Sequence, residues 1–173
     1  MRMILLAGVF VGAASSWCAE LPNLEAVTHD GRRIPLVSGL LRGRPAAIQF
    51  VFTDCPTACP LLGALFASVD KRLRHEDSAH GPILITVSVN PERDTPSRLA
   101  EWRQRFGASD RWVAIRLDPP ALRKLQSALG ERGGPPSAHS TDLFLFDRTG
   151  AMVNRLTGLP SADSVAEALR SIH

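Results

Sequence analysis

The sequence predicts an α/β domain, and three observations indicate this fold class. Two nearly uninterrupted apolar runs of strand length, 46–53 and 83–89, are typical of strands that are covered on both faces of a sheet. Each run is followed by a segment whose apolar residues have helical spacing. The length of 173 residues, with 45% hydrophobic and 21% charged residues, suits one globular domain and excludes a disordered or coiled-coil chain.

The first residues, 1–19, are predicted to be an export signal. Arg2 precedes the apolar stretch 3–14, which is far shorter than the roughly 20 apolar residues of a transmembrane helix. A single domain, 20–173, then follows, and we expect it to be exported. The alternative is that the segment stays uncleaved as a membrane anchor. Cys18 at the boundary does not suggest lipidation, because a tryptophan precedes it.

An N-terminal β-hairpin is predicted to begin the domain. Residues 24–28 and 33–37 have strand composition, and the Asp30-Gly31 turn between them suits a tight connection. The elements predicted after the hairpin are strand 46–53, a helix from Pro60 to Leu73, strand 83–89, a helix from Thr95 to Phe106, strand 112–117, a helix from Asp118 to Leu129, strands 142–146 and 152–156, and a helix from Ser161 to Ile172.

Three of the predicted helices begin with capping chemistry. Thr95 and Asp118 each precede a proline, the order expected for an N-cap and a first helical residue, and Ser161 is also a suitable N-cap. Composition marks 130–138 as a loop. The alternation of strands and helices predicts a sheet with helices on both faces.

Charge and cysteine content restrict the classes of function. Twenty basic and seventeen acidic residues give a net charge of +3, and the basic residues are scattered, which excludes a nucleic-acid footprint. Three cysteines are too few for a disulfide scaffold. The sequence also contains neither a glycine-rich phosphate loop nor a nucleophile elbow. Any cysteine chemistry must therefore be local.

The candidate chemistry lies in the segment DCPTACP, 54–60. It connects an apolar strand to a helix, and such strand-to-helix junctions are where ligand sites gather in α/β sheets. The positive end of the helix dipole favours thiolates there, so we expect both Cys55 and Cys59 to be reactive. Three intervening residues leave the sulfurs close enough to form one disulfide or to bind one ion.

Several uses of this cysteine pair are compatible with its spacing. A purely structural disulfide is disfavoured, because closing a five-residue loop contributes only about 2 kcal/mol. A thioredoxin-like redox site is an alternative, although that motif has two intervening residues instead of three. Two thiolates also suit Cu(I), and one imidazole would complete a three-coordinate site. A structural zinc site would normally require a fourth ligand.

Three ordered motifs resemble one known family. FTDCPTACP (52–60), SVNPERDTP (88–96) and HSTDLFLFDRTG (139–150) are similar to motifs of the Sco/SenC family of copper-binding, thioredoxin-fold assembly factors for cytochrome c oxidase. The resemblance extends from about Leu24 to the end of the chain. It implies a thioredoxin-like fold in which helices flank a central mixed β-sheet.

The resemblance also implies a site and a function. Cys55, Cys59 and His139 would bind one copper ion, although a lone histidine is more often a surface residue. The protein would be a metallochaperone for the Cu(A) centre of the oxidase. It would act with the oxidase subunit that carries Cu(A), a copper donor and a thioredoxin-like reductant, in the periplasm or at the outer face of the inner membrane. The alternative is a thiol-disulfide oxidoreductase, with Cys55 and Cys59 as its redox pair, that reduces the Cu(A) cysteines or those of other exported proteins.

Some positions depart from the family pattern or have an open role. Asn90 stands where the family usually has aspartate, whereas Asp94 is retained, and Phe144 replaces a frequent tyrosine. Asp54 and Asp142 are candidates for orienting the histidine or tuning the site. Solvated loop carboxylates are an equally good interpretation of both.

Overall fold

The structure of the protein is a computed structural model that describes residues 21–77, 79–131 and 133–172. The predicted export signal, 1–19, lies outside these ranges. The strands are β1 (Glu25–Thr28), β2 (Arg33–Pro35), β3 (Ala46–Val51), β4 (Ile83–Ser88), β5 (Trp112–Arg116), β6 (Leu143–Phe146) and β7 (Met152–Leu156). The α-helices are α1 (Ala58–Arg72), α2 (Pro96–Arg105), α3 (Pro119–Ala128) and α4 (Ala162–Ser171).

The seven strands of the described residues form one mixed sheet in the order β2-β1-β5-β4-β3-β6-β7. The central strands β3, β4 and β5 are parallel, whereas β1 pairs with β5 and β6 pairs with β3 in the antiparallel sense. The predicted N-terminal hairpin is present, with Ala26 opposite Ile34. The predicted α/β class and the mixed sheet are therefore confirmed.

The sheet separates two apolar cores, because side chains alternate between the faces of its strands. On β3, Ile48 and Phe50 face one core, and Ala47 and Val51 face the other. Helices α1, α2 and α4 cover the second core, and α3 covers the first. Helices thus lie on both faces, as the order of elements predicts.

Two local features differ from the sequence expectation. The hairpin strand β2 ends at Pro35, and a single π-helical turn, Leu36–Leu41, follows it with three buried leucines. Helix α1 begins at Ala58, two residues before the predicted start at Pro60. Proline fits here because the first-turn N–H groups of a helix have no acceptor within the helix. Cys59 consequently lies in the first turn of α1.

The topology brings several loops to one end of the sheet. Ile48 of β3 is opposite Phe144 of the antiparallel strand β6, so the loop after β3 and the loop before β6 meet at the same edge. The loop after β4 reaches this end too, because β4 runs parallel to β3.

Among the helices that the structure describes, none is both long and apolar enough to cross a membrane.

Candidate metal and redox site

The cysteine loop is organised by the amino end of α1. Thr57 occupies the N-cap position but its side chain makes no capping hydrogen bond. The sulfur of Cys55 acts as the capping acceptor instead, because it accepts a hydrogen bond from the backbone N–H of Cys59 at 3.4 Å. The Thr57 hydroxyl oxygen lies 3.7 Å from the same sulfur. The Cys55 sulfur therefore lies at the positive end of a helix.

The two cysteines have opposite electrostatic environments. Partial burial opposes ionisation of Cys55, but hydrogen bonds from Cys59 and Thr57 outweigh it and lower the pKa of Cys55 to about 7. Burial raises the pKa of the fully buried Cys59 thiol to about 12, and the negative charges of Cys55 and Asp94 act in the same direction. Both thiols are free. The lowered pKa favours reaction of Cys55, whereas burial and a raised pKa disfavour reaction of Cys59, and the expectation that both thiols are reactive stays a prediction.

His139 lies beside the cysteine loop, as the site prediction requires. Its Nε2 atom is 3.8 Å from the Sγ atom of Cys59, although 80 residues separate the two along the chain. The imidazole is half-buried and meets the ring of Phe52 edge to face, with 6.1 Å between ring centroids. The structure thus brings together the three residues, Cys55, Cys59 and His139, that the sequence singled out.

The loop that carries His139 is held by polar side chains that the sequence did not identify. Glu131 accepts hydrogen bonds from both the backbone N–H and the hydroxyl of Ser140. Arg155 donates to Glu131 and to Asp142. Glu131 belongs to a segment that composition marks as an ordinary loop, so no sequence signal distinguishes it. Asp142 contacts Arg155 and the backbone of the loop after β7.

A second buried carboxylate lies beneath the cysteine loop. Asp94 accepts hydrogen bonds from the hydroxyl of Thr53 and from the hydroxyl of Ser88, both at 2.6 Å. Asn90 closes the turn between Ser88 and Asp94, because its carbonyl oxygen accepts a hydrogen bond from the backbone N–H of Asp94. Asp94 therefore joins the end of β4 to the residue that enters the cysteine loop.

Asp54 has a different environment from Asp94. It is partly exposed and forms ion pairs with Arg98 and, at 3.3 Å, with Arg93. These contacts connect the cysteine loop to the start of α2. Its carboxylate is thus engaged by arginines rather than by the cysteines or His139.

The atoms of the three candidate ligands are near one another without forming a finished site. In the described parts of the chain, no group of three or more His, Cys, Asp and Glu residues is already arranged to hold a metal ion. The separation of His139 Nε2 and Cys59 Sγ nevertheless suits two ligands of one ion. With metal–nitrogen and metal–sulfur bonds of about 2.0 and 2.3 Å, such ligand atoms lie roughly 3.5–3.8 Å apart.

Comparison with known proteins identifies one family and several similar proteins. The model of the SCO1/SenC family matches residues 22–173. A SCO1 protein homolog of Bacillus subtilis is 33% identical over 148 residues, which cover 81% of this chain and 75% of the homolog.

Solved structures of other proteins share the fold, and two of them illustrate the similarity. One is ScoI of Arabidopsis thaliana with copper bound, with a TM-score of 0.72 and 19% identity over 86% of this chain and 94% of that one. The other is BsSco, described as a member of the Sco family of cytochrome c oxidase assembly proteins with a disulfide switch. Its TM-score is 0.75, with 22% identity over 89% of this chain and 93% of that one.

Proposed function

This chain belongs to the SCO1/SenC family, and we propose that it is a copper metallochaperone that holds one copper ion with Cys55, Cys59 and His139. The family includes proteins associated with cytochrome c oxidase assembly, and we infer that the ion is destined for the Cu(A) centre. The observation that carries the proposal is the 3.8 Å separation of His139 Nε2 and Cys59 Sγ at the end of the sheet where Cys55 also lies.

The chemistry of the donor set supports copper as the cargo. Thiolates are soft ligands and imidazole is an intermediate one, and both kinds suit copper. Magnesium and calcium prefer oxygen ligands instead. Cys55 offers a thiolate near neutral pH, whereas the buried thiol of Cys59 must lose its proton when the ion binds. When Cys55 binds the ion, its sulfur must also give up the hydrogen bond that it accepts from the backbone N–H of Cys59.

Partial exposure of the site supports a role in transfer. Cys55 and His139 are each half-buried, so an acceptor's thiolate has access to an ion held there. Such a thiolate would replace one protein ligand at a time, and the ion would leave without any net change in the protein. We expect the exchange to take place in the periplasm or at the outer face of the inner membrane, with a copper donor and a thioredoxin-like reductant as further partners.

The different pKa values of the two thiols favour a second function, thiol-disulfide exchange. The Cys55 thiolate would attack a disulfide of the target and form a mixed disulfide, releasing one target thiolate. The Cys59 sulfur, after losing its proton, would then attack Cys55 and release the second. Two electrons pass to the target, and Cys55 and Cys59 end as a disulfide. The Cu(A) cysteines would be the target of this reduction.

A copper titration tests the main proposal. The full chain carrying Cys18→Ser, reduced and titrated with Cu(I), is expected to bind one ion, and X-ray absorption should show two sulfur ligands and one nitrogen ligand. Cys55→Ser should abolish tight binding, and His139→Ala should weaken it and remove the nitrogen ligand. Unchanged affinity and spectrum in His139→Ala would refute the ligand role of the histidine. Reduction of an oxidised Cu(A) domain under strict copper depletion would favour the second function.

A further inference from the structure

The orientation of the His139 ring has an identifiable cause. Its Nδ1 atom lies 2.8 Å from the carbonyl oxygen of Ser140. A carbonyl oxygen only accepts hydrogen bonds, so Nδ1 must carry the hydrogen of the neutral ring. Nε2 then keeps its lone pair, and this is the atom that faces Cys59 Sγ. The Ser140 carbonyl therefore selects the tautomer that can bind an ion on the cysteine side.

Ser140 is fixed in turn by one carboxylate. Glu131 accepts the backbone N–H of Ser140 at 3.1 Å with one oxygen and the Ser140 hydroxyl at 2.6 Å with the other. The Glu131 side chain is only 3% exposed. Water competes little with these bonds, because the carboxylate is almost completely buried. Both polar donors of Ser140 are thus committed to Glu131, and its carbonyl is left to His139.

Arg155 also holds this carboxylate, at the same oxygen that accepts the Ser140 hydroxyl. It donates to Glu131 at 3.0 Å and to Asp142 at 2.6 Å, and its guanidinium lies 5.1 Å from the centre of the Phe144 ring. The backbone N–H of Asp142 donates to the Ser140 hydroxyl oxygen at 3.2 Å. The network therefore connects the end of α3, the His139 loop and β7.

We propose that Glu131 is the positioning residue of the site: through Ser140 it sets the tautomer of His139 and the position of Nε2. The effect on copper rests on the proposed function, whereas the effect on the tautomer does not. Replacing the carboxylate by an amide leaves one acceptor oxygen and places an NH₂ group against donors of Ser140 or Arg155. Ser140 would then lose one of its two hydrogen bonds to residue 131. Its carbonyl oxygen would consequently be less well positioned to accept the hydrogen of His139 Nδ1.

The first test measures the tautomer without copper. Nitrogen-15 NMR of the full Cys18→Ser chain, at alkaline pH where imidazoles are neutral, should show the hydrogen of His139 on Nδ1. Glu131→Gln should give a mixture of tautomers, and Ser140→Ala should give a smaller change in the same direction. Glu167→Gln removes an exposed carboxylate from α4 and should change nothing. A hydrogen on Nε2, or an unaltered tautomer in Glu131→Gln and Ser140→Ala, would overturn the proposal.

The second test is a double-mutant cycle on Cu(I) affinity. Loss of such an outer hydrogen-bond partner typically weakens metal binding by about 10–100-fold, and we expect this of Glu131→Gln. In a His139→Ala background the same substitution should have no further effect. An equal loss in both backgrounds would mean that Glu131 acts on the fold in general, and the proposal would fail. If the parent chain binds no copper, the proposed function fails, and the tautomer measurement still decides the positioning role.

Discussion

The backbone N–H of Cys59 donates a hydrogen bond to the sulfur of Cys55, 3.4 Å away, so the second cysteine of the motif stabilises the thiolate of the first. Burial of Cys59 raises its own pKa, so the two sulfurs differ strongly in pKa although only three residues separate them. Several measurable properties depend on this difference.

Alkylation should distinguish the two cysteines. The pKa of Cys55 is about 7, so its reaction with iodoacetamide should accelerate as the pH rises through about 7, where the thiolate forms. Cys59 should remain unmodified until far more alkaline pH, because it is buried and its pKa is about 12. Mass spectrometry of the peptide 54–60 measures both. Equal rates at the two positions would contradict the assignment.

Copper binding should release a number of protons that depends on pH. At pH 7 about half of Cys55 and nearly all of Cys59 is protonated, so the two thiols should release about 1.5 protons per ion. Near pH 9 the number should fall to about 1, since Cys55 is already ionised. Apparent affinity should therefore decrease as the pH falls. Calorimetry in buffers of different ionisation enthalpy measures the release, and about two protons at pH 7 would place the pKa of Cys55 well above neutrality.

Asp94→Ala should destabilise the fold and also alter the cysteine loop. It removes the acceptor of the Thr53 and Ser88 hydroxyls inside the protein, which we expect to cost about 2–4 kcal/mol of the free energy of unfolding. Burial is the main reason why the pKa of Cys59 is raised, and the charge of Asp94 adds to it. Alkylation of Cys59 in Asp94→Ala should accordingly begin at lower pH.

Asp70→Ala is the matched control for this variant. Asp70 is equally buried, accepts the N–H and the hydroxyl of Ser109, and lies near the opposite end of α1. Chemical denaturation should show a loss of stability at least as large as that of Asp94→Ala, because Asp70 also lies 3.8 Å from the buried guanidinium of Arg111. The alkylation profile of the cysteines should be unchanged. If both variants alter the profile equally, the effect of Asp94 is general loosening of the fold.

Asp54→Asn should have a small effect despite its position next to Cys55. Its ion pairs with Arg93 and Arg98 are partly exposed, and such pairs contribute at most about 1 kcal/mol. We expect the Cu(I) affinity to remain that of the parent chain, because the carboxylate is engaged by arginines. A large loss of copper affinity would instead assign Asp54 a direct role at the site.

The order of elements was predictable because local patterns specify it. Thr95, Asp118 and Ser161 each accept a backbone N–H of the following turn, as expected of N-caps. The π-helical turn 36–41 was not predictable, since six residues are too few to show a helical hydrophobic period. The earlier start of α1 was missed because Pro60 is acceptable at more than one position of a first turn.

The sequence by itself determined the alternation of strands and helices and the location of the cysteine pair at a strand-to-helix junction, because hydrophobic period, caps and turns act over short distances. Only the tertiary structure decided that His139 meets Cys59, that Cys59 is buried while Cys55 is accessible, and that Glu131 supports the histidine loop. These relationships depend on which strands pair and how far each side chain is removed from water. Pairing and burial result from packing of the whole sheet between its helices, which no local pattern specifies.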